Sequence, residues 1–187
     1  MAAVKVVLCT QNKHKLEEFR QLFPDWELEA LAAGDFPAED GITYADNARI
    51  KARYGRLAGP ADAWSLGDDS GIEVAALGGG PGVLTARWAE GRHVEKLLAA
   101  LDGAATREAQ YVCELVALSP DRSEVRGTGV LRGEIASEPA GGEGFGFDPV
   151  FVPHGQTRTV AELGDAWKAE HSHRALAARS LVDAMQV

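Results

Sequence analysis

The amino-acid sequence predicts an α/β fold, and three observations carry that prediction. Residues 4–9 form a near-continuous apolar run of strand length. A polar turn follows, then Leu16, Phe19, Leu22 and Phe23 at helical spacing. Residues 26–31 alternate as a second strand, and after a loop Thr43-Tyr44-Ala45-Asp46 has the form of a capping box opening another helix. Residues 109–118 and 124–133 are two extended runs joined by Ser119-Pro120-Asp121-Arg122-Ser123, the pattern of an antiparallel hairpin.

Bulk properties narrow the function classes. The 187 residues suffice for one core, or for a core with a smaller lobe, and residues 1–187 are expected to form a single domain. Hydrophobic residues make up 45% and charged residues 25%, as in an ordinary folded domain. The net charge of -9 gives no general attraction for nucleic acid or anionic membrane. Any phosphate would therefore need a local cluster and a metal. No apolar stretch reaches bilayer length, and no signal-peptide pattern opens the chain. Cys9 and Cys113 each lie in an apolar run, read as buried reduced thiols, which suits a cytoplasmic protein.

Taken in order, the first turn is Thr10-Gln11-Asn12-Lys13-His14-Lys15. A helix start presents free N–H groups and a positive dipole end, so it suits an anion. Lysines there oppose the dipole unless something anionic docks; the alternative is an Asn12 cap with a solvated basic first turn. Residues 32–41 are a loop with Asp35, Glu39 and Asp40. The helix capped by Thr43 runs to about Leu57 and carries Lys51, and Gly59-Pro60 ends it.

The central stretch is Gly67-Asp68-Asp69-Ser70-Gly71. Residues 63–66 read as a strand end and residues 72–77 as a second short apolar segment. Gly67 and Gly71 are expected to allow a tight bend that brings Asp68 and Asp69 to an edge. Two carboxylates this close repel, so they call for a cation or a shared proton, and partly hydrated Mg²⁺ is the ordinary answer. The bland alternative is a solvated acidic turn. Residues 78–82 are a glycine-rich loop without the lysine of a Walker A motif. Residues 94–101 form a short amphipathic helix.

Farther on, Phe145-Gly146-Phe147-Asp148-Pro149 is either a small core plug or a stacking platform for a base. Residues 159–163 are short and mixed. Lys168 and Ser172-His173-Arg174 lead into a final helix ending near Met185, with Ser172 as its cap and two cationic side chains in its first turn.

Together, Thr10 to Lys15, Thr43 to Ala52, Gly67 to Gly82, Gly144 to Pro149, and Lys168 with Ser172-His173-Arg174 resemble the Ham1-type inosine/xanthosine triphosphate pyrophosphatase family. The resemblance implies a long, twisted mixed sheet flanked by helices in two lobes, a central active-site cleft and a homodimer. It implies hydrolysis of dITP, ITP and XTP to monophosphate and pyrophosphate, which clears deaminated purines from the nucleotide pool. Asp69 would be the catalytic proton acceptor, and Asp69, Asp68 and Glu39 would hold Mg²⁺, with Asp40 as the alternative to Glu39. Thr10, Gln11, Asn12, Lys13, His14, Lys15, Lys51 and Ser70 would hold the triphosphate. Phe145, Gly146 and Phe147 would frame the base, and Asp148, Lys168, His173 and Arg174 would read its edge. A cationic donor aimed at the 6-position rewards the oxo group of hypoxanthine or xanthine and leaves adenine unpaired. Gly67 stands where the family commonly has alanine, Phe147 where it has tyrosine, and residues 84–93 look shorter than usual. The rival readings are a Maf-type pyrophosphatase of other base preference and a nucleotide sensor without turnover.

Overall fold

The computed structural model describes residues 4–32, 34–88 and 91–185. Its strands are β1 (Val4–Leu8), β2 (Trp26–Ala30), β3 (Trp64–Val74), β4 (Glu108–Leu118), β5 (Glu124–Ile135) and β6 (Phe151–Pro153). Its helices are α1 (Lys13–Leu22), α2 (Tyr44–Ala58), α3 (Thr85–Trp88), α4 (His93–Ala100), α5 (Val160–His171) and α6 (His173–Met185). The strands make a six-stranded sheet in the order β2-β1-β3-β4-β5-β6. β1 is parallel to β2 and β3, whereas β5 and β6 are antiparallel, so the sheet is mixed as expected. No helix among the described residues is long and apolar enough to cross a membrane.

The parallel part dictates where a site can form. From β1 the chain passes outward through α1 to β2, then doubles back through α2 to β3 on the other side of β1. Right-handed crossovers in opposite directions put the two helices on opposite faces of the sheet. The side chains of β3 divide accordingly. Leu66 shares a core with Phe19 of α1, while the Ser65 hydroxyl donates to the Ala52 carbonyl of α2 at 2.7 Å. Such a reversal leaves a crevice at the carboxyl ends of the strands, where open α/β sheets take their ligands. Asp68 and Asp69 lie just past the last β1–β3 pair, Leu8 with Leu66.

The chain divides into two compact units. One comprises the residues up to Asp69, Cys113–Gly129 and the chain from Arg174 onward. Its core gathers Val6, Leu8, Phe19, Phe23, Leu66, Leu115 and Leu181. Each large apolar side chain buried there contributes about 1.5–3 kcal/mol. Small residues let α2 lie close to the strands: a Cβ on Gly67 would stand 2.0 Å from the Ala48 carbonyl oxygen, and one on Gly55 would stand 2.1 Å from Cys9 Sγ. Both cysteines are buried free thiols, as read from the sequence; desolvation pushes Cys113 up to about 12, so it stays protonated and inert. The other unit, Ser70–Val112 with Val130–His173, has its own core of Ile72, Val74, Leu97, Leu101, Tyr111 and Phe151.

Two sequence expectations are corrected. Residues 64–74 are one continuous 11-residue strand, with no bend at the aspartates. Gly67 and Gly71 therefore do not turn the chain; Gly67 serves the close approach of α2. Residues 159–163, read as short and mixed, are the cap and first turn of the 12-residue α5, where Thr159 and Glu162 form a reciprocal capping box. Gly164, at φ 85°, kinks that helix. A short connection between neighbouring β4 and β5 makes them the expected hairpin, closed by a bond from Ser119 N to Ser123 O of 3.0 Å. Within the 84–93 segment, Thr85–Trp88 is helical, and Ala89 and Glu90 lie outside the described residues.

Candidate active site

The first turn of α1 is both a capped helix start and a donor array. Asn12 is the N-cap, and its Oδ1 accepts from the backbone N–H groups of His14 at 3.0 Å and Lys15 at 3.3 Å. Thr10 Oγ1 accepts from Asn12 N at 3.2 Å, which tightens the turn. Gln11, Lys13 and His14 are exposed. Lys15 reaches inward, and its Nζ donates to Asp68 Oδ2 at 2.6 Å. The basic turn and the aspartate stretch are thus in direct contact. Asp68 is fully buried, which pushes its carboxyl up, but the charges of Lys15 and Lys51 and the Lys15 hydrogen bond outweigh this and hold it below the ordinary value.

Asp69 points to the other face, because successive strand residues alternate. There it meets α2. Asn47 Nδ2 donates to Asp69 Oδ2 at 2.9 Å, and Lys51 Nζ stands 3.9 Å from Asp69 Oδ1. The same ammonium donates to Glu39 Oε1 at 2.9 Å. Lys51 is thus a buried lysine. Burial lowers it, and Asp68, Asp69 and Glu39 together more than reverse that, leaving it above the usual lysine value. Asp69 is raised: desolvation is its largest influence, and the long gap to Lys51 leaves that only partly offset.

In the second unit, Asp148 is the centre of another buried polar group. Lys168 Nζ donates to its Oδ2 at 2.9 Å, Phe145 N donates to the same oxygen at 3.0 Å, and the Tyr111 hydroxyl donates to Oδ1 at 3.3 Å. Lys168 Nζ also lies 4.9 Å from the Phe145 ring centre, a cation–π contact. His173 stacks on Tyr111 at 4.6 Å and 13°. The two phenylalanines part company. Phe145 keeps partial exposure, while Phe147 is buried in the core with its edge against His93. The expectation that both rings frame a base is thus corrected: Phe147 is the core plug, and only Phe145 offers a ring. Gly146 is exposed, with φ 64°. Ser70 follows Asp69 in β3, half-buried. In the first unit, buried Arg174 donates from Nη1 to Glu18 Oε2 at 2.9 Å.

The expected Asp68–Asp69 pair is also corrected. The two carboxylates do not face each other, and each has its own lysine. Glu39 Oε1 and Asp69 Oδ1 both face the buried Lys51 ammonium, so two hard oxygen donors flank one cation there. Asp68 Oδ1 is buried with no hydrogen-bond partner among the described residues, so acceptor capacity remains beside Lys15 as well. Among the described residues, Glu108, Glu134 and His154 bring ligand atoms within 4.8 Å of one another, but all three are exposed and contain none of the residues above.

Sequence reading missed Asn47, Tyr111 and Glu18. For Asn47 the available signal was a polar side chain one turn before Lys51 on the same face of α2. Tyr111, in an apolar strand, and Glu18, on a charged helix, gave none.

Fold and site first define a class: an open-sheet α/β protein with acidic side chains and lysines gathered at the carboxyl end of its parallel strands. Comparison with known proteins then narrows this class. Residues 6–184 match the Ham1 family. A dITP/XTP pyrophosphatase of Bdellovibrio bacteriovorus is 41% identical over 192 residues, covering 96% of each chain. One from Gloeobacter violaceus is 42% identical over 182 residues, covering 95% of this chain and 92% of its own. The solved structure of a HAM1 protein from Coxiella burnetii superposes with a TM-score of 0.83 at 34% identity, covering 98% of both chains. The chain belongs to the Ham1 family.

Proposed function

We propose that this protein is a nucleoside triphosphate pyrophosphatase that hydrolyses dITP, ITP and XTP to the monophosphate and pyrophosphate. One observation carries the reading: Lys15 of the N-terminal turn touches Asp68, and the next residue, Asp69, is oriented by Asn47 toward Lys51 and Glu39. Anion donors and a proton acceptor thus meet at the strand ends. The names of the relatives, dITP/XTP pyrophosphatase, support the same substrates.

The triphosphate is taken by the Thr10–Lys15 turn. Asn12 caps α1 through its oxygen, which leaves its amide N–H groups to donate, and Lys15 keeps two of three N–H donors beyond its bond to Asp68. Thr10, Gln11, Lys13, His14 and Ser70 complete the phosphate contacts. Asp69 and Glu39 would hold Mg²⁺. When bound, Mg²⁺ supplies charge neutralisation for the phosphate oxygens and Lewis acidity at the reacting phosphorus. Asp69 Oδ1 accepts the proton of a water whose oxygen bonds to the α-phosphorus. The bond from that phosphorus to the bridging oxygen breaks, and its electron pair leaves with pyrophosphate, whose charge Lys15 and Lys51 offset. The raised carboxyl of Asp69 makes it a better base than an ordinary aspartate.

The base stacks on Phe145 beside Gly146. Lys168, held by Asp148, presents its ammonium to the 6-oxo group, with His173 and Arg174 helping to hold the nucleotide. On this reading the protein acts as a cytoplasmic homodimer without a nucleic-acid or membrane partner; its charge of -9 supports the last part, since it gives no general attraction for either polyanion. The test is a substrate panel of dITP, XTP, dGTP, dATP and dTTP with Mg²⁺ and product analysis. Pyrophosphate release from dITP and XTP well above dATP is expected; faster turnover of dTTP, or binding without turnover, contradicts the reading.

A further inference from the structure

We infer that Asn47 is a positioning residue whose carboxamide ties the Glu39 loop to Asp69 and holds the two carboxylates ready for one divalent cation. The inference rests on the proposed reading of Glu39 and Asp69 as the cation ligands. Asn47 is completely buried in α2. Its Nδ2 donates to Asp69 Oδ2 at 2.9 Å, and its Oδ1 accepts from Gly41 N at 2.8 Å. The amide orientation is dictated by its partners, since a carboxylate can only accept and a backbone N–H can only donate. While Oδ2 takes this bond, Oδ1 is the Asp69 oxygen that faces Lys51, 3.9 Å away. Gly41 lies two residues after Glu39, whose Oε1 accepts from the same Lys51 at 2.9 Å. One side chain therefore fixes both the rotamer of the base and the loop carrying its partner.

The identities on both sides are constrained. A Cβ on Gly41 would stand 2.7 Å from Asn47 Oδ1 and 2.6 Å from Asp46 Cβ, so the loop must approach as bare backbone. Asparagine is a poor helix-interior residue, so helix propensity does not account for it. An aspartate there would keep the acceptor for Gly41 and lose the donor for Asp69. An alanine would lose both and leave the half-buried Gly41 N and the buried Asp69 without this partner. Partners that orient metal ligands from behind change metal affinity or activity by about 10–100-fold when removed.

The test compares wild type with Asn47→Ala, using electron paramagnetic resonance of Mn²⁺ binding to the nucleotide-free protein, steady-state kinetics with dITP, and Tm. Mn²⁺ affinity and kcat are expected to fall about 10–100-fold, with KM for dITP within about threefold. A folded Asn47→Ala protein that binds Mn²⁺ and turns over dITP within about twofold of wild type, at any Tm, overturns the inference. If the variant does not fold, NMR of the wild-type Asn47 carboxamide decides. Slow exchange and a shift on adding Mg²⁺ support the brace; free-amide exchange with no shift removes it. Wild type that binds no Mn²⁺ overturns instead the Glu39–Asp69 ligand reading, and the amide exchange then judges the brace alone.

Discussion

Asp68 and Asp69 are adjacent in sequence and opposite in environment. Asp68 is lowered and locked to Lys15; Asp69 is raised, braced by Asn47 and looser against Lys51. On the proposed mechanism it is the second that takes the proton. Asp69→Asn is therefore expected to cut kcat by about 10²–10⁴ while circular dichroism and Tm stay near wild type. A variant with near-normal kcat would remove Asp69 from the mechanism. At the other polar group, Lys168→Ala deletes the ammonium beside Phe145 and leaves Asp148 its bonds from Tyr111 and Phe145 N. The kcat/KM ratio of dITP over dATP should fall by about tenfold or more; equal losses for the two would mean that Lys168 does not read the base. The aspartates were legible as chemistry but not as geometry, because the glycines around them read as turns. The two-residue alternation of a strand is what separates them. Phe145 and Phe147 were likewise indistinguishable in sequence. Gly146 between them, at φ 64°, sends one ring to the surface and the other into the core.

At the scale of elements, α2 does most to shape the acidic side of the site. It delivers Asn47 and Lys51 from one face, and it can do so only because it lies almost on the β3 backbone at Gly67. Gly67→Ala should therefore be destabilising by about 1–3 kcal/mol through overpacking, although alanine is chemically the mildest replacement. In a chain of this size, thermal unfolding would register this as a drop of about 2–4 °C per kcal/mol. An unchanged Tm would mean that the helix moves away at little cost. The start of α2 was legible, since Thr43 and Asp46 cap each other within three residues. The start of α5 has the same device in Thr159 and Glu162 but was missed, because Gly164 breaks the apolar periodicity one turn later. Local capping chemistry was the better guide there than periodicity.

At the scale of the molecule, what no single stretch of sequence revealed is the order of the strands. Apolar runs say that strands exist, not which ones are neighbours. The order β2-β1-β3 places the turn after β1 next to the middle of β3, so that residues more than fifty positions apart share a salt bridge. That placement also bears on how a protein of net charge -9 can take a polyanion: Lys15 and Lys51 are gathered locally beside Asp68 and Asp69. The family match spans both of these stretches, since it runs from residue 6 to 184. The account stands or falls on where water enters the triphosphate. Turnover of dITP in ¹⁸O-labelled water, read by mass spectrometry of both products, measures this directly. Attack at the α-phosphorus predicts label in the nucleoside monophosphate and none in pyrophosphate. Label in pyrophosphate, or release of orthophosphate with dIDP, would contradict it.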